Sequence, residues 1–275
     1  MNMAVRRLFL GVPILRGLYQ KARKLKNHRH FLKLAHHQFV NIDDYQKALE
    51  LEDGGIVDIH TIDGMTISIR RNVVDAGILA ETYLDNSYIR GLILPDHPIV
   101  VDIGGFIGDF ALYAAKRLNA LKVVVCEPSS QNWTLLKRNV ANNCYEDRID
   151  VVNKAVTDGR DLMMNVDVPA RGQHRVSGYY PSSVERRVIP GISLASLVKE
   201  HELTKIDLLK IDCEGGEYDI LSATPKEVFS RIGNIVFEYH EIEGYEVKLE
   251  DVKKKLCDEG YSLKTHGSLI FASRG

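Results

Sequence analysis

The sequence predicts an α/β fold in which helices cover both faces of a doubly wound, mostly parallel sheet. After Pro95, short apolar segments alternate with segments of helical period, which is the βα pattern. The apolar segments are continuous, as in strands buried on both faces, and a glycine-rich turn separates the first strand from the first helix. A chain of 275 residues, 45% of them apolar, is long enough for one large domain with additions.

The first 42 residues form a basic arm. They carry nine Lys and Arg residues and no Asp or Glu, so the net charge of -1 conceals +9 in the arm and -10 in the remainder. Apolar residues recur there at helical spacing, which predicts an amphipathic helix: Leu15, Leu18, Ala22, Leu25, Leu32 and Phe39. Such a helix packs on its own protein or on a partner subunit, lies on an anionic membrane surface, or binds nucleic-acid phosphates. The apolar bulk of residues 8–15 favours the membrane over nucleic acid.

A hairpin and a helix follow the arm. Apolar and polar residues alternate over 56–62 and 65–69, and Asp63-Gly64 between them is a tight-turn signal, so we predict a β-hairpin. Residues 72–84 follow as a short helix. We therefore divide the chain into the arm (1–42), a hairpin and helix extension (43–95) and a ligand-binding body (96–275).

The body consists of predicted strands and helices in alternation. The strands are 99–103, 122–126, 149–152, 162–168, 206–211 and 235–239. The helices are 108–118, 131–142, 194–201, 217–221 and 249–259. An antiparallel pair, 261–264 and 268–271, closes the chain, and the Pro- and Gly-containing segment 171–191 is predicted to be a long irregular loop.

Cysteine usage and hydropathy bear on the compartment. The four cysteines are far apart and include no C-x-x-C pair, so we predict buried free thiols in a reducing compartment: Cys126, Cys144, Cys213 and Cys257. No apolar run approaches the roughly 20 residues that span a bilayer, and no signal-peptide cleavage pattern is visible. We expect a cytoplasmic protein, with peripheral contact to a membrane left open.

The glycine-rich turn is the most informative stretch. In VDIGGFIGDFAL (101–112), a buried strand reaches Asp102, and Gly104, Gly105 and Gly108 lead into a helix, so that a ligand can approach the backbone. A dinucleotide-binding turn has similar glycines. A carboxylate at Asp102 would repel a pyrophosphate but suits the ammonium and sulfonium groups of S-adenosylmethionine (SAM). SAM is therefore favoured over NAD.

Two further positions fit an adenosine ligand. Glu127 directly follows the second strand, where an acid accepts hydrogen bonds from ribose hydroxyls in NAD sites and SAM sites alike. After the third strand, residues 153–156, including Ala155, lie where small and apolar neighbours would receive the adenine ring.

Three stretches resemble the FkbM family of SAM-dependent methyltransferases: VDIGGFIGDFAL (101–112), CEPSSQNWTLLKRN (126–139) and IDLLKIDCEGGEYDIL (206–221). An Asp-Glu-Tyr lead-in (Asp75, Glu81, Tyr88) and FEYH (237–240) extend the resemblance to about residues 56–272, which places Glu81 and Tyr88 among the cofactor-binding candidates. The resemblance implies a Rossmann-like class I methyltransferase fold. Gly105-Phe106 and Asp109 depart from the family pattern, in which Ala-Asn and an aromatic residue are usual.

The resemblance implies O-methylation of a sugar, glycan or other secondary metabolite, so the expected partner is a small-molecule or glycan acceptor. A sugar hydroxyl needs a general base, and we predict His240 for this role because imidazole titrates near neutral pH. Asp212 is expected to contact SAM or orient the acceptor, with Glu214 beside it in the following turn. Lys210 offers an alternative partner for Glu238 on the next strand.

The sequence also allows other interpretations of the site and of the function. Asp212, Glu214, Glu238 and His240 offer ligands for a divalent metal such as Mg²⁺, although spacing does not show that they converge. An RNA methyltransferase would use the basic arm, but the strand end lacks the Asn/Asp-Pro-Pro-aromatic signature, and the acidic body makes nucleic acid an unfavourable partner. An NAD-dependent sugar-modifying enzyme would need a Tyr-x-x-x-Lys pair. A non-catalytic methyltransferase-like protein that docks on a membrane or partner is the third alternative.

Overall fold

The computed structural model describes residues 34–51, 53–165, 186–213, 215–239 and 249–274. The extension contains helix α1 (Ile42–Glu50), the hairpin strands β1 (Ile56–His60) and β2 (Thr66–Arg70), and helix α2 (Val73–Ala80). A π-helical turn (Glu81–Asp85) and a 3-10 turn (Ser87–Ile89) follow. The hairpin and α2 were predicted, whereas α1 was not, although Asp43 and Asp44 in its first turn favour a helix start.

The body follows the predicted alternation of strands and helices. Its first half contains β3 (Ile99–Ile103), α3 (Asp109–Arg117), β4 (Lys122–Cys126), α4 (Ser130–Asn142), β5 (Ile149–Val152), β6 (Ala155–Thr157) and β7 (Leu162–Asn165). Its second half contains β8 (Arg186–Ile189), β9 (Gly191–Ser193), α5 (Leu194–Glu200), β10 (Ile206–Ile211), α6 (Glu217–Ala223), α7 (Lys226–Phe229), β11 (Ile232–Glu238), α8 (Leu249–Asp258), β12 (Ser262–His266) and β13 (Leu269–Ser273).

Within the described residues, the central sheet has seven strands in the order β12-β13-β11-β10-β3-β4-β5. The strands from β11 to β5 are parallel, and β13 pairs antiparallel with β11 and β12. The strand order reverses between β3 and β10, which creates a crevice at their carboxyl ends, where open α/β sheets bind ligands. The predicted doubly wound, mostly parallel sheet is confirmed.

Two hydrophobic layers cover the sheet. One layer joins the extension to α3 and α4 and includes Tyr45, Ile67 and Leu79 together with Leu112 and Leu136. The other layer contains apolar side chains of α5, α6, α7 and α8. Because the extension shares a core with the body, its π-helical turn is fixed beside the carboxyl end of the sheet.

Asn139 on α4 bonds the hairpin to the body. It accepts a hydrogen bond from Ser68 N (2.7 Å) and donates to Ser68 O (2.9 Å) and Ile107 O (2.8 Å). The side chain is fully buried, so all three bonds are shielded from water. One amide therefore holds the hairpin and the end of the glycine turn in a fixed relation.

Three sequence predictions need correction or fall outside the described residues. The end of the arm packs on its own protein, since Ala35 and Phe39 are buried, while residues 1–33 are outside the described ranges. Cys144 and Cys257 are exposed rather than buried, because they lie at helix ends instead of in strands. The predicted loop 171–191 includes β8, which pairs with β7, and the first residue of β9, which pairs with β6.

In the part of the chain that the structure describes, no helix is both long and apolar enough to cross a membrane.

Candidate active site

The glycine turn after β3 is held against two neighbouring strand ends. Gly104 N and Gly105 N both donate to Cys126 O at 3.0 Å, and Gly104 has φ +84°. A Cβ at Gly104 would lie 1.8 Å from Asp212 O, so this turn can approach β10 only because a side chain is absent. Phe106 has φ +47°, a left-handed conformation that is uncommon for a bulky residue.

We expect Gly104→Ala to lower the free energy of unfolding by about 2–4 kcal/mol, because the methyl group adds a steric clash to an unfavourable backbone conformation. Gly91→Ala is the matched control, since Gly91 has φ +71° but no atom within 4 Å of its added Cβ. Urea denaturation measures both. Equal losses in the two variants would show that the close approach to Asp212 has no energetic role.

Glu127 connects the glycine turn to the start of α4. Its carboxylate accepts hydrogen bonds from Phe106 N (2.9 Å), Ser129 N (2.9 Å) and Asn132 Nδ2 (3.3 Å). Burial raises the pKa of Glu127 to about 7, and these hydrogen bonds limit the increase. A carboxylate offers about four acceptor positions, so Glu127 retains capacity for a ligand hydroxyl.

Asn132 was missed by the sequence reasoning. Its Oδ1 is buried and has no hydrogen-bond partner among the residues that the structure describes. The position falls within the family-like stretch 126–139, in the first turn of α4, and that was the available signal. An unpaired buried acceptor beside Glu127 is costly unless a ligand donates to it.

Asp102 pairs with Lys210 across the β3–β10 boundary. The Lys210 Nζ lies 2.9 Å from Asp102 Oδ1 and 3.2 Å from Gly104 O, and both side chains are buried. Burial alone would lower the pKa of Lys210, but the neighbouring carboxylates, Asp102 first, hold it above its usual range. The alternative pairing of Lys210 with Glu238 is wrong, because Lys210 is opposite Asp102 in the sheet register.

The other oxygen of Asp102 has no partner in the described part of the chain, although the side chain is fully buried. The ammonium of Lys210 also lies 4.8 Å from the centre of the Tyr88 ring and 5.7 Å from that of Phe110. At the carboxyl end of β3, one oxygen of Asp102 is therefore paired with the Lys210 ammonium, and the other oxygen is unpaired.

The structure brings Glu81 and Tyr88 to the carboxyl ends of β10 and β11. The Tyr88 hydroxyl donates to Asp212 Oδ2 at 2.7 Å, and Glu238 Oε1 accepts a hydrogen bond from Ser268 Oγ at 2.6 Å. Burial, together with the charges of Glu238 and Asp212, raises the pKa of Glu81 to about 7. This edge thus combines several carboxyl groups with one tyrosine hydroxyl.

Asp109, at the first position of α3, is a second residue whose environment the sequence did not reveal. Its carboxyl accepts a hydrogen bond from Thr82 Oγ1, and burial raises its pKa to about 7. The Tyr83 hydroxyl donates to Asp109 O at 3.3 Å. Asp109, which replaces the aromatic residue usual in the family, therefore lies where the π-helical turn contacts α3.

The remaining predicted site residues divide into two groups. Ala155 is buried at the start of β6. Two residues earlier, the Asn153 side chain donates a hydrogen bond to Glu127 O at 2.8 Å, which connects this segment to the site. His240 and Glu214 lie outside the described residues, so their catalytic roles stay predictions. Among the residues described, no three His, Cys, Asp or Glu side chains are grouped as a metal site.

A protein-family model matches most of the body of this chain. Residues 102–263 match the model of the methyltransferase FkbM domain, which is more than half of the chain. Methyltransferase sdnD of Sordaria araneosa is 25% identical over 220 residues, covering 68% of this chain and 82% of the relative. The 31-O-demethyl-FK506 methyltransferase FkbM of Streptomyces tacrolimicus is 23% identical over 224 residues, covering 70% and 84%. A crystal structure of methyltransferase FkbM from Methylobacillus flagellatus KT aligns with a TM-score of 0.46 at 15% identity, covering 85% of this chain and 58% of that one.

Proposed function

Because this chain belongs to the FkbM methyltransferase family, we propose that it transfers a methyl group from SAM to a hydroxyl group of a sugar, glycan or other secondary metabolite. The name of the Streptomyces tacrolimicus relative, 31-O-demethyl-FK506 methyltransferase, describes a substrate that lacks an O-methyl group, which supports oxygen as the methylated atom. The observation that carries the proposal is the arrangement of the Gly104 turn, the buried Glu127 and the Asp102 carboxyl group at one sheet edge.

The residues at this edge fit SAM. Two buried acceptors, Asp102 Oδ2 and Asn132 Oδ1, have no partner in the described ranges and suit the donor groups of a ligand. The glycine turn leaves backbone open where a side chain would block approach. The carboxyl groups around Lys210 outnumber its single positive charge, which favours a cationic ligand over a pyrophosphate.

When bound, SAM supplies a methyl group on a cationic sulfur that is already activated for displacement. The protein's task is therefore to hold the acceptor oxygen in line and to remove its proton. Glu127 would hold the ribose hydroxyls, and the glycine turn would position the rest of the cofactor. Asp212, oriented by the Tyr88 hydroxyl, lies at the same edge and can accept a hydrogen bond from the acceptor.

We expect titration calorimetry to detect SAM binding to the full chain and Glu127→Gln to weaken it about 10-fold or more, because the variant loses charge-assisted hydrogen bonds. Glu146→Gln is the matched control, since Glu146 is exposed on the loop between α4 and β5. Heat with NAD and none with SAM would overturn the proposal.

Methyl-labelled SAM then identifies the acceptor class. The full chain is incubated with panels of sugars, glycolipids, polyketide alcohols and RNA, and the label is followed. Transfer to a hydroxyl of a sugar, glycan or metabolite supports the proposal, and transfer to RNA alone would replace it with the RNA methyltransferase alternative.

A further inference from the structure

Glu81 differs from the other carboxylates of the site in having no partner. It opens the π-helical turn and is half-buried, yet its carboxyl group makes no hydrogen bond or ion pair with any residue in the described ranges. Asp75, six residues earlier, shows the usual arrangement: it is buried and accepts hydrogen bonds from Arg70 N and the Arg70 side chain. A partly desolvated carboxyl without donors costs stability, and a helical turn of π type is often found at functional sites.

The surroundings of Glu81 are dominated by negative charge. Asp212 at the end of β10, Glu238 on β11 and Asp85 on the same π-helical turn all repel a charged Glu81, and Lys210 on β10 is the cation that favours it. The fully buried Lys210 is already paired with Asp102, whose other oxygen is unpartnered. The free protein therefore disfavours the charged form of Glu81, and an added cation would favour it.

We propose that Glu81 is the general base for methyl transfer and receives the proton of the acceptor hydroxyl. The inference rests on the proposed function and assigns Glu81 a role in proton transfer instead of the cofactor-binding role that the resemblance implied. It also names a proton acceptor other than His240.

The reaction balances with this assignment. The acceptor O–H bond breaks and its proton passes to the Glu81 carboxylate. The oxygen forms a bond to the methyl carbon as the carbon–sulfur bond breaks, and that electron pair stays on sulfur, which becomes neutral. Once the sulfur is neutral, Glu81 keeps this proton through product release, and the proton passes to water when the next cationic donor binds.

The test measures proton release on binding and needs no acceptor. Since burial and the neighbouring carboxylates raise the pKa of Glu81 to about 7, a cation that lowers it drives proton release near neutral pH. Calorimetry of the full chain at pH 7, in phosphate and in Tris, gives the protons released from the dependence on buffer ionisation heat. We expect SAM to release up to about half a proton more than S-adenosylhomocysteine, whose sulfur is neutral, because a group with a pKa of about 7 is half protonated at pH 7.

The comparison with S-adenosylhomocysteine removes protons exchanged by groups that both ligands contact in the same way, including Glu127. Glu81→Gln should still bind SAM but lose the difference between the two ligands. Asp85→Asn, which removes a neighbouring charge on the same turn, is the matched control and should keep most of the difference, because Asp85 acts on Glu81 less strongly than Glu238 and Asp212 do. An unchanged difference in Glu81→Gln would overturn the inference alone, whereas no SAM binding by the wild-type chain would overturn the proposed function as well.

Infrared difference spectroscopy of the wild-type chain keeps the inference testable if Glu81→Gln does not fold. Addition of SAM should reduce the absorbance of protonated carboxyl groups more than addition of S-adenosylhomocysteine does. Equal spectra for the two ligands would overturn the assignment of Glu81 as the base.

Discussion

Replacing Lys210 with methionine is expected to lower the free energy of unfolding by about 3–5 kcal/mol and to abolish SAM binding. The ammonium is buried and bonds to Asp102 Oδ1 and Gly104 O, so its removal leaves a buried carboxylate without a counter-charge and a glycine turn without its anchor. The methionine side chain is apolar and similar in length to that of lysine, so it leaves little empty space. The loss of stability therefore comes from the missing charge and hydrogen bonds. Urea denaturation and calorimetry with SAM measure the two effects.

A double variant separates charge from shape. Asp102→Asn combined with Lys210→Met removes both charges, and we expect it to recover most of the stability that Lys210→Met loses. Lys122→Met is the matched control, because Lys122 pairs with Asp150 at 2.7 Å across the neighbouring strands but is about one-third exposed. Lys122→Met should lower the free energy of unfolding by less than about 1 kcal/mol. Similar losses for Lys122→Met and Lys210→Met would contradict the assignment.

The central strands could be predicted from the sequence because each is a continuous apolar run with a clear end. The bounds of β3, β4, β5 and β10 agree with the predicted ranges residue for residue. The start of β11 was placed three residues late, because Gly233 and Asn234 interrupt its apolar pattern. Tertiary pairing with β10 keeps those residues in the strand.

The partner of Lys210 could not be predicted because it depends on strand order. Consecutive parallel strands suggested Glu238 on β11, but β10 lies between β11 and β3, so Lys210 has Asp102 beside it on the other side. That neighbour exists only because the order of the strands reverses at this point. The predicted doubly wound sheet includes such a reversal, but sequence spacing does not say which two strands flank it.

The candidate site was only partly visible for the same reason. Asp102, Gly104 and Glu127 belong to local motifs, whereas the convergence of Glu81 and Tyr88 on Asp212 depends on how the extension packs on the body. The family resemblance named Glu81 and Tyr88 but gave no geometry. Burial of Asp109 against Thr82 has no local signal either, because a carboxylate in a first helical turn is ordinarily a solvated helix cap.

Asp109→Asn is expected to stabilise the protein at pH 8 by about 1–3 kcal/mol, an unusual sign for a substitution in a buried site. Burial raises the pKa of Asp109 to about 7, so at pH 8 the wild type holds a charged carboxylate away from water. Asparagine is neutral, has nearly the same shape, and can accept the hydrogen bond from Thr82 with its amide oxygen.

The pH dependence of this gain identifies its cause. Between pH 4 and pH 7 the folded state holds a proton on Asp109 that the unfolded state has lost, so the contribution of Asp109 to the free energy of unfolding falls as the pH rises through this window. The advantage of Asp109→Asn should therefore be absent near pH 4, grow toward pH 7 and level off above it.

Asp63→Asn provides the control of opposite sign. Asp63 is half-buried and pairs with Arg117 at 2.9 Å. Burial alone would raise the pKa of Asp63. The hydrogen bonds from Thr61 and Arg117 and the positive charge of Arg117 outweigh this effect, so the pKa of Asp63 lies below its usual range. Its replacement should lower the free energy of unfolding at pH 8 and have a smaller effect at pH 3. Urea denaturation of both variants from pH 3 to pH 8 makes the comparison. A difference in the free energy of unfolding between Asp109→Asn and the wild type that stays constant across this range would contradict the prediction. It would mean that contact with the π-helical turn does not raise the pKa of Asp109.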